Sequence, residues 1–164
     1  MSVSDVKKFF EDHNLSFEIM ELEDSTATVE LAAAAHNVVP DQIAKSIALY
    51  AGDEKFLLVT SGMSRLDNKK FKATFKAKPR MMSAEDVLEA TGHPVGGVCP
   101  FGLKTEMKIC LDASLKRFDT VFPAAGAHNA SIEISPERLK EITHGTWVDV
   151  CKNPEAETHT EASS

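Results

Sequence analysis

The chain has 164 residues, 43% of them apolar and 26% charged, and a net charge of −7. That is long enough for one domain with a substantial core and has the balance of a soluble globular protein. Met1–Phe10 carries Asp5, Lys7 and Lys8 and lacks the apolar stretch of a signal peptide. No apolar run is long enough to cross a membrane. The three cysteines, Cys99, Cys110 and Cys151, are odd in number and have no CxxC spacing. They argue against a disulfide framework and point to a reducing, cytoplasmic compartment.

Taken in chain order, Ser4 can cap a first helix whose Val6, Phe9, Phe10 and His13 share one face, ending near Asn14. Leu15–Glu21 reads as a strand. Thr28 opens a short alanine-rich helix, with Asn37 as a left-handed cap before Pro40. Ile43–Tyr50 and Lys55–Ser61 flank Gly52-Asp53 as a hairpin. Asp67 caps a helix to about Lys76, with Phe71 and Phe75 four apart toward the core. Ser83 caps another over Ser83–Ala90, which Gly92 stops. Lys108–Leu111, Thr120–Pro123 and Asn129–Ile134 are strands, Ser135-Pro136-Glu137 starts a last helix, and Trp147–Val150 closes the fold. Alternating helices and strands give an α/β domain over residues 1–151. Residues 152–164 lack periodicity and read as a mobile tail. There is no internal repeat.

Four features carry chemistry. Gly92–Gly102 holds four glycines and two prolines in eleven residues, which specifies a rigid loop with bare backbone open to a ligand. Lys45 shares its strand face with Ile43, Ile47 and Leu49, the bulkier apolar side. There it either snorkels from the strand end or meets a ligand phosphate or carboxylate. Residues 65–80 carry seven cations against Asp67 alone, a net +6 on an otherwise acidic chain. Lys69, Lys72 and Lys76 make a stripe there, either a solvated face or a contact for a polyanion. Ala124–Asn129 is a second small-residue loop, where His128 and Asn129 line a pocket or form a turn.

The six histidines have no HExxH spacing, so no metal site is expected and no cofactor is implied. No phosphate-binding glycine motif follows a strand, which removes the usual nucleotide folds. Cys99 is either a nucleophile beside exposed backbone or a small buried thiol, and no spacing assigns it a base.

Lys45-Ser46 on a strand, Gly-Gly-Val-Cys-Pro-Phe-Gly at 96–102, and Ala-Ala-Gly-Ala-His-Asn ahead of Ser-Ile-Glu-Ile at 131–134 together resemble the YbaK/ProX family. These are free-standing trans-editing proteins related to the insertion domain of bacterial prolyl-tRNA synthetases. The likeness runs from about Thr28 to Ile142. It implies a mixed, barrel-like β-sheet surrounded by helices, and hydrolysis of amino acids misattached to tRNA. Lys45 matches the family's lysine and is expected on the phosphate of the terminal adenosine. Gly96, Gly97, Val98, Cys99 and Pro100 match its GxxxP loop and are expected around the aminoacyl carbonyl. Ser46, Phe101, Gly126, His128, Asn129 and Ser131 would shape the substrate pocket, and Lys69, Lys72 and Lys76 would meet tRNA.

Catalysis in such proteins is substrate-assisted, which implies loop N–H groups as the source of charge stabilisation. The partners implied are the acceptor end of aminoacyl-tRNA and a synthetase. Against the cysteine-specific branch, the chain has Leu22 where a tyrosine is expected, Ser46 for a threonine and Ser131 for a carboxylate. Those departures weigh against cysteinyl-tRNA(Pro) and leave alanine, serine and threonine as candidates. Competing readings are a non-catalytic binding module for aminoacyl-adenosine or a small anion, and a synthetase-associated interaction protein.

Overall fold

The computed structural model describes residues 2–22 and 28–152. The tail expected from Lys152 lies outside these residues from 153 onward, while Lys152 itself still donates its N–H to the Arg65 carbonyl at 2.8 Å.

Five helices and eight strands follow in order: α1 (Ser2–Asp12), β1 (Met20–Glu21), α2 (Val29–His36), β2 (Ile43–Ala51), β3 (Glu54–Ser61), α3 (Asn68–Phe75), β4 (Pro79–Met81), α4 (Ala84–Thr91), β5 (Lys108–Asp112), β6 (Phe122–Pro123), β7 (Ala130–Ser131), α5 (Pro136–Thr143) and β8 (Thr146–Val148). Short 3-10 turns lie at Pro40–Gln42 and Ala113–Arg117. Four of the helices begin where their caps dictate, whereas α1 is already helical at Ser2, so Ser4, expected as its cap, lies inside its first turn. The hydroxyls of Thr28, Ser83 and Ser135 accept from Leu31, Asp86 and Arg138 N–H, and the Asp67 carboxylate accepts from both Lys69 and Lys70. Each cap satisfies a donor the first turn would otherwise orphan. Asn37, Lys76, Gly92 and His144 end helices in the left-handed conformation.

The main sheet runs β4-β2-β3-β5-β8, with β6 added on β2. The β2–β3 hairpin is antiparallel from Ala44↔Ser61 to Ala51↔Glu54, whereas β5 lies parallel to β3 and β8 parallel to β5. The architecture is therefore the mixed α/β domain expected. Its hydrogen-bonded path stays open among the described residues, so the sheet is not a closed barrel.

Several strands are shorter than the sequence suggests, among them Thr120–Pro123, of which Phe122–Pro123 forms β6, and Trp147–Val150, found as Thr146–Val148. Leu15, Phe17 and Ile19 pack on the core beside Phe10, yet ladder pairing begins only at Met20, opposite Ser131. Likewise 129–134 pairs as a strand only at Ala130–Ser131, plus two isolated bridges, Ser131 to Ala124 and Ile134 to Val121. Alternation reported the packing of these segments and not their partners. The converse holds for β4, whose Pro79 and Arg80 give no strand signal but pair with Ala51 and Tyr50.

The core is built on both faces of the hairpin. Val6 and Phe10 of α1 meet Phe101, Leu111, Leu115, Ile132 and Leu139 on one side. Leu49, Phe56 and Leu58 meet Phe71 on the other, with Phe75 stacked 4.6 Å from Phe56. The four-residue spacing of Phe71 and Phe75 thus seats α3 on the sheet and leaves its lysines outside.

Candidate functional site

The two edges of β2 have different fates. One edge pairs with β3 along its length. The other pairs with β6 at Ile43 and Ala44, and with β4 at Leu49–Ala51. Between them the edge has no strand partner, apart from the Ala48 carbonyl accepting Met82 N–H at 3.2 Å. Because backbone groups alternate along a strand, Ser46, two residues before Ala48, aims its N–H and C=O into the same gap.

A cavity of about 310 Å³ occupies this gap. It wraps the free edge, so Lys45 and Ile47 from one strand face and Ser46 and Ala48 from the other all line it. Met82, Val87 and Val98 form an apolar wall, Thr28 and Ala32 of the α2 region a second, and Phe122, Ala124 and Ser131 a third. Gly96 completes the lining, with a φ of 96° that a side chain would disfavour.

Lys45 reaches across to the Ser64 carbonyl at 3.2 Å and, among the described residues, has no carboxylate within ion-pair distance. A full positive charge thus rests at the cavity on one neutral acceptor. The turn that supplies this acceptor is tightly held. Asp41 accepts from Met63 N–H at 2.9 Å and pairs with Arg117 at 3.4 Å, while Arg117 donates to Ser61 Oγ at 3.0 Å and Ser61 contacts Ser64 Oγ. Ser46 Oγ is buried and has no partner among the described residues. Leaving such a hydroxyl unpartnered costs about 1–3 kcal/mol, so this one is open to a partner in the cavity.

The glycine-rich loop is clasped to the second small-residue loop. Gly97 accepts Gly126 N–H at 3.0 Å, and its own N–H turns back to Pro94 O at 2.9 Å. The N–H groups of Gly96 and Val98 have no acceptor among the described residues, and both residues line the cavity. Gly96 and Val98, with unengaged N–H groups, and Lys45 therefore border a cavity whose remaining polar lining is Thr28, Ser46 and Ser131.

The remaining expected residues fall outside the lining. Cys99 and Phe101 are fully buried in the core, and Pro100 faces a separate surface groove. Gly97 and Gly126 buttress the loop from behind. Asn129 donates through Nδ2 to Leu22 O at 2.7 Å, fastening the second loop to the end of β1, and His128 is exposed. Cys99 has a neighbour no spacing could reveal: His93 Nε2 lies 3.6 Å from its Sγ. That nitrogen is also 2.7 Å from the Phe101 carbonyl, which can only accept, so Nε2 carries the proton and is no base for the thiol. Burial pushes the Cys99 thiol up to about 12, against weaker help from Phe101 and Gly126 backbone. It is a protonated core thiol at neutral pH.

His36 is not legible in the sequence as a site residue. It sits behind two lining residues, stacked on Phe122 with ring centroids 4.5 Å apart and with Nε2 2.7 Å from Ser131 Oγ. Its sequence position, at the end of an alanine-rich helix, gives no hint of either contact.

On the outer surface, Lys69, Lys72 and Lys78 border a shallow recess with Asn68 and Pro79. Lys76 is also exposed but caps α3 at a φ of 61° and leaves that recess. Lys70 is spent on Asp149 at 3.1 Å and the Cys151 carbonyl. From Lys78 the chain runs directly into β4, whose Met81 lines the cavity three residues on, about 10 Å of strand.

Comparison with known proteins gives the family. The sequence pattern of the aminoacyl-tRNA editing domain matches residues 23–142. The chain is 46% identical to uncharacterized protein YwhH of Bacillus subtilis over 155 residues, 93% of this chain and 99% of that protein. It is 29% identical over 93 residues, 56% of this chain and 57% of the other, to EbsC of Enterococcus faecalis, a candidate Cys-tRNA(Pro)/Cys-tRNA(Cys) deacylase. Among solved structures, a candidate trans-editing enzyme for prolyl tRNA synthetase superposes with a TM-score of 0.86 at 29% identity, covering 93% of this chain and 98% of that one. A match over most of the chain, with the fold and order of elements preserved, decides the matter: this chain belongs to the aminoacyl-tRNA editing domain family.

Proposed function

We propose that the protein is an aminoacyl-tRNA deacylase that hydrolyses, in trans, the ester joining a small amino acid to the terminal adenosine of tRNA. The observation that carries this reading is the gap in the sheet. There a lone ammonium, two unengaged backbone N–H groups and a small apolar wall share one cavity of about 310 Å³. That volume is at the lower end for ligand pockets, suited to an aminoacyl group and the adjoining sugar more than to a large side chain.

In this mechanism Lys45 leaves the Ser64 carbonyl for a phosphate of the terminal nucleotide. That exchanges a neutral acceptor for a charged one. The ester carbonyl oxygen faces the N–H groups of Gly96 and Val98. Water adds to the carbonyl carbon, the oxygen takes up negative charge against those donors, the carbon–oxygen bond to the ribose breaks, and the ribose oxygen recovers a proton. Fixed donors that strengthen as charge develops act on the transition state and need no protein nucleophile. Cys99, protonated and outside the lining, has no part in this scheme. The lysine recess beside β4 would carry the acceptor stem toward the cavity.

The test is hydrolysis of a panel of mischarged tRNAs by the wild type and Lys45→Ala. Loss of a charge-assisted contact worth about 1.5–3 kcal/mol predicts a fall of roughly 10- to 150-fold in kcat/KM with folding intact. Full turnover by Lys45→Ala removes the lysine from the scheme. Tight binding of aminoacyl-adenosine without hydrolysis of any tRNA replaces the enzyme by a binding module.

A further inference from the structure

Two of the residues that line the cavity, Phe122 and Ser131, are braced from behind by one imidazole. His36 ends α2, and its ring lies on Phe122 at an interplanar angle of 24°. Its Nε2 is 2.7 Å from Ser131 Oγ, across 95 residues of sequence. Ser131 is itself 4% exposed and pinned on its backbone by Met20 and Ala124, so its hydroxyl has little freedom beyond rotation about its own bond. A hydroxyl in that setting presents to the cavity whatever its partner leaves over. If it gives its hydrogen to the imidazole, its lone pairs face the ligand. If it receives a hydrogen, its own proton does.

We propose that His36 is a positioning residue which, in its neutral form, takes the hydrogen of the Ser131 hydroxyl and turns the Oγ lone pairs toward the cavity, making that wall an acceptor for the α-amino group of a bound aminoacyl ester. The assignment rests on the editing reading of the cavity and adds to it a way of telling an aminoacyl from a plain acyl group. Lys45 and the loop N–H groups are donors, so an acceptor on this wall would join the Ser46 carbonyl of the strand edge in greeting an ammonium.

Surrounding groups keep the ring in that form near neutrality. Burial lowers the His36 pKa, and the charge that pulls it back up is Glu133, just beyond β7. β6 and β7 carry no ionisable side chain, Glu21 of β1 is paired with Lys7 at 3.8 Å, and Glu30 lies at the opposite end of α2. Protonation at low pH obliges Nε2 to donate and reverses the hydroxyl.

Two hydrolysis-resistant ligands test this, the 3′-amide analogue of alanyl-adenosine and its counterpart lacking the α-amino group. Wild type should bind the amine-bearing analogue about tenfold more tightly, as for a hydrogen bond to a charged group. Ser131→Ala and His36→Phe, which keeps the ring stack, should each abolish that preference by weakening the amine-bearing analogue to the level of its counterpart. The double variant should lose nothing more. His36→Gln, whose carboxamide oxygen accepts a hydrogen and does not titrate, should restore part of the preference and remove its decline on acidification. A preference that survives in Ser131→Ala, or equal binding of both analogues by wild type, overturns the assignment and leaves the editing reading standing. Failure of wild type to bind either analogue overturns the editing reading and this assignment with it.

Discussion

Gly97→Ala adds a single methyl group where the two loops are clasped together. A Cβ at Gly97 would lie 2.6 Å from Ala127 N and 2.8 Å from both Ala127 Cα and Gly126 C. All three are backbone atoms, so no side chain can swing aside. The separations fall about 1 Å short of ordinary carbon spacing, and the two loops must part by that order. Such overpacking costs about 1–3 kcal/mol, and loosening the 3.0 Å bond from Gly126 N–H to Gly97 O costs roughly 1 more. For a domain of this size, roughly 2–4 kcal/mol corresponds to a fall in Tm of roughly 4–16 °C. The neighbouring Gly96 and Val98 N–H groups move with the loop, and a displacement near 1 Å at donors aimed at a developing charge costs about 100-fold in rate. Thermal unfolding and single-turnover deacylation measure the two effects separately. Gly52→Ala is the control: it sits at a φ of 62° in the hairpin turn with nothing within 4 Å, so it costs only local strain and leaves turnover alone. A Gly97→Ala protein with wild-type Tm and wild-type rate would refute the clasped-loop account.

Cys99→Ala should keep wild-type-like turnover, and native Cys99 should resist iodoacetamide at pH 8, where a thiol pushed up to about 12 is ionised in about one molecule in ten thousand. A trapped thioester on Cys99 would replace the water mechanism with covalent catalysis. Reversing Lys69, Lys72 and Lys76 to Glu should raise KM on full-length tRNA far more than it lowers kcat. Its salt dependence should flatten by about 0.7–0.9 log units for each phosphate no longer neutralised. A minimal aminoacylated CCA fragment should be nearly indifferent, and an unchanged salt slope on full tRNA would make the lysines a solvated face. Replacing Lys78 as well should deepen the loss, because Lys78 and not Lys76 borders the recess. His93 is held neutral, chiefly by burial, with a pKa below the ordinary 6.5. The unfolded chain therefore binds a proton first on acidification, so stability present above about pH 6.5 should drain away as the pH falls toward the folded-state value. Differential scanning fluorimetry across pH 5–7.5 reads this directly, and a flat Tm would contradict it.

What the sequence discloses and what it hides divide along the distance over which the cause acts. Caps at Thr28, Asp67, Ser83 and Ser135, the left-handed Asn37 and the Gly52-Asp53 hairpin are written within four residues of where they act, and each forms as the sequence predicts. The parity of β2 is equally local, which is why Lys45 stands out in the sequence without reference to any partner strand, while its neighbour Ser46 is marked only by the family resemblance. The opening they share is not local. It exists because β6 and β4, two and three residues long, cover the ends of one edge and leave the middle bare. Neither has enough residues to show a period, and β4 contains a proline that argues against a strand. The pairing of His36 with Ser131 is hidden for the same reason, since a 2.7 Å approach across 95 positions leaves no mark on either local pattern. Even Cys99 follows this rule. Its neighbours suggest a reactive backbone, yet its burial comes from Val6 and Phe10 on α1, nearly ninety positions away, closing over the loop. The loop's glycines therefore announce that backbone is on offer, but only the docking of distant elements decides that Gly96 and Val98 face the cavity while the thiol between Val98 and Pro100 faces the core.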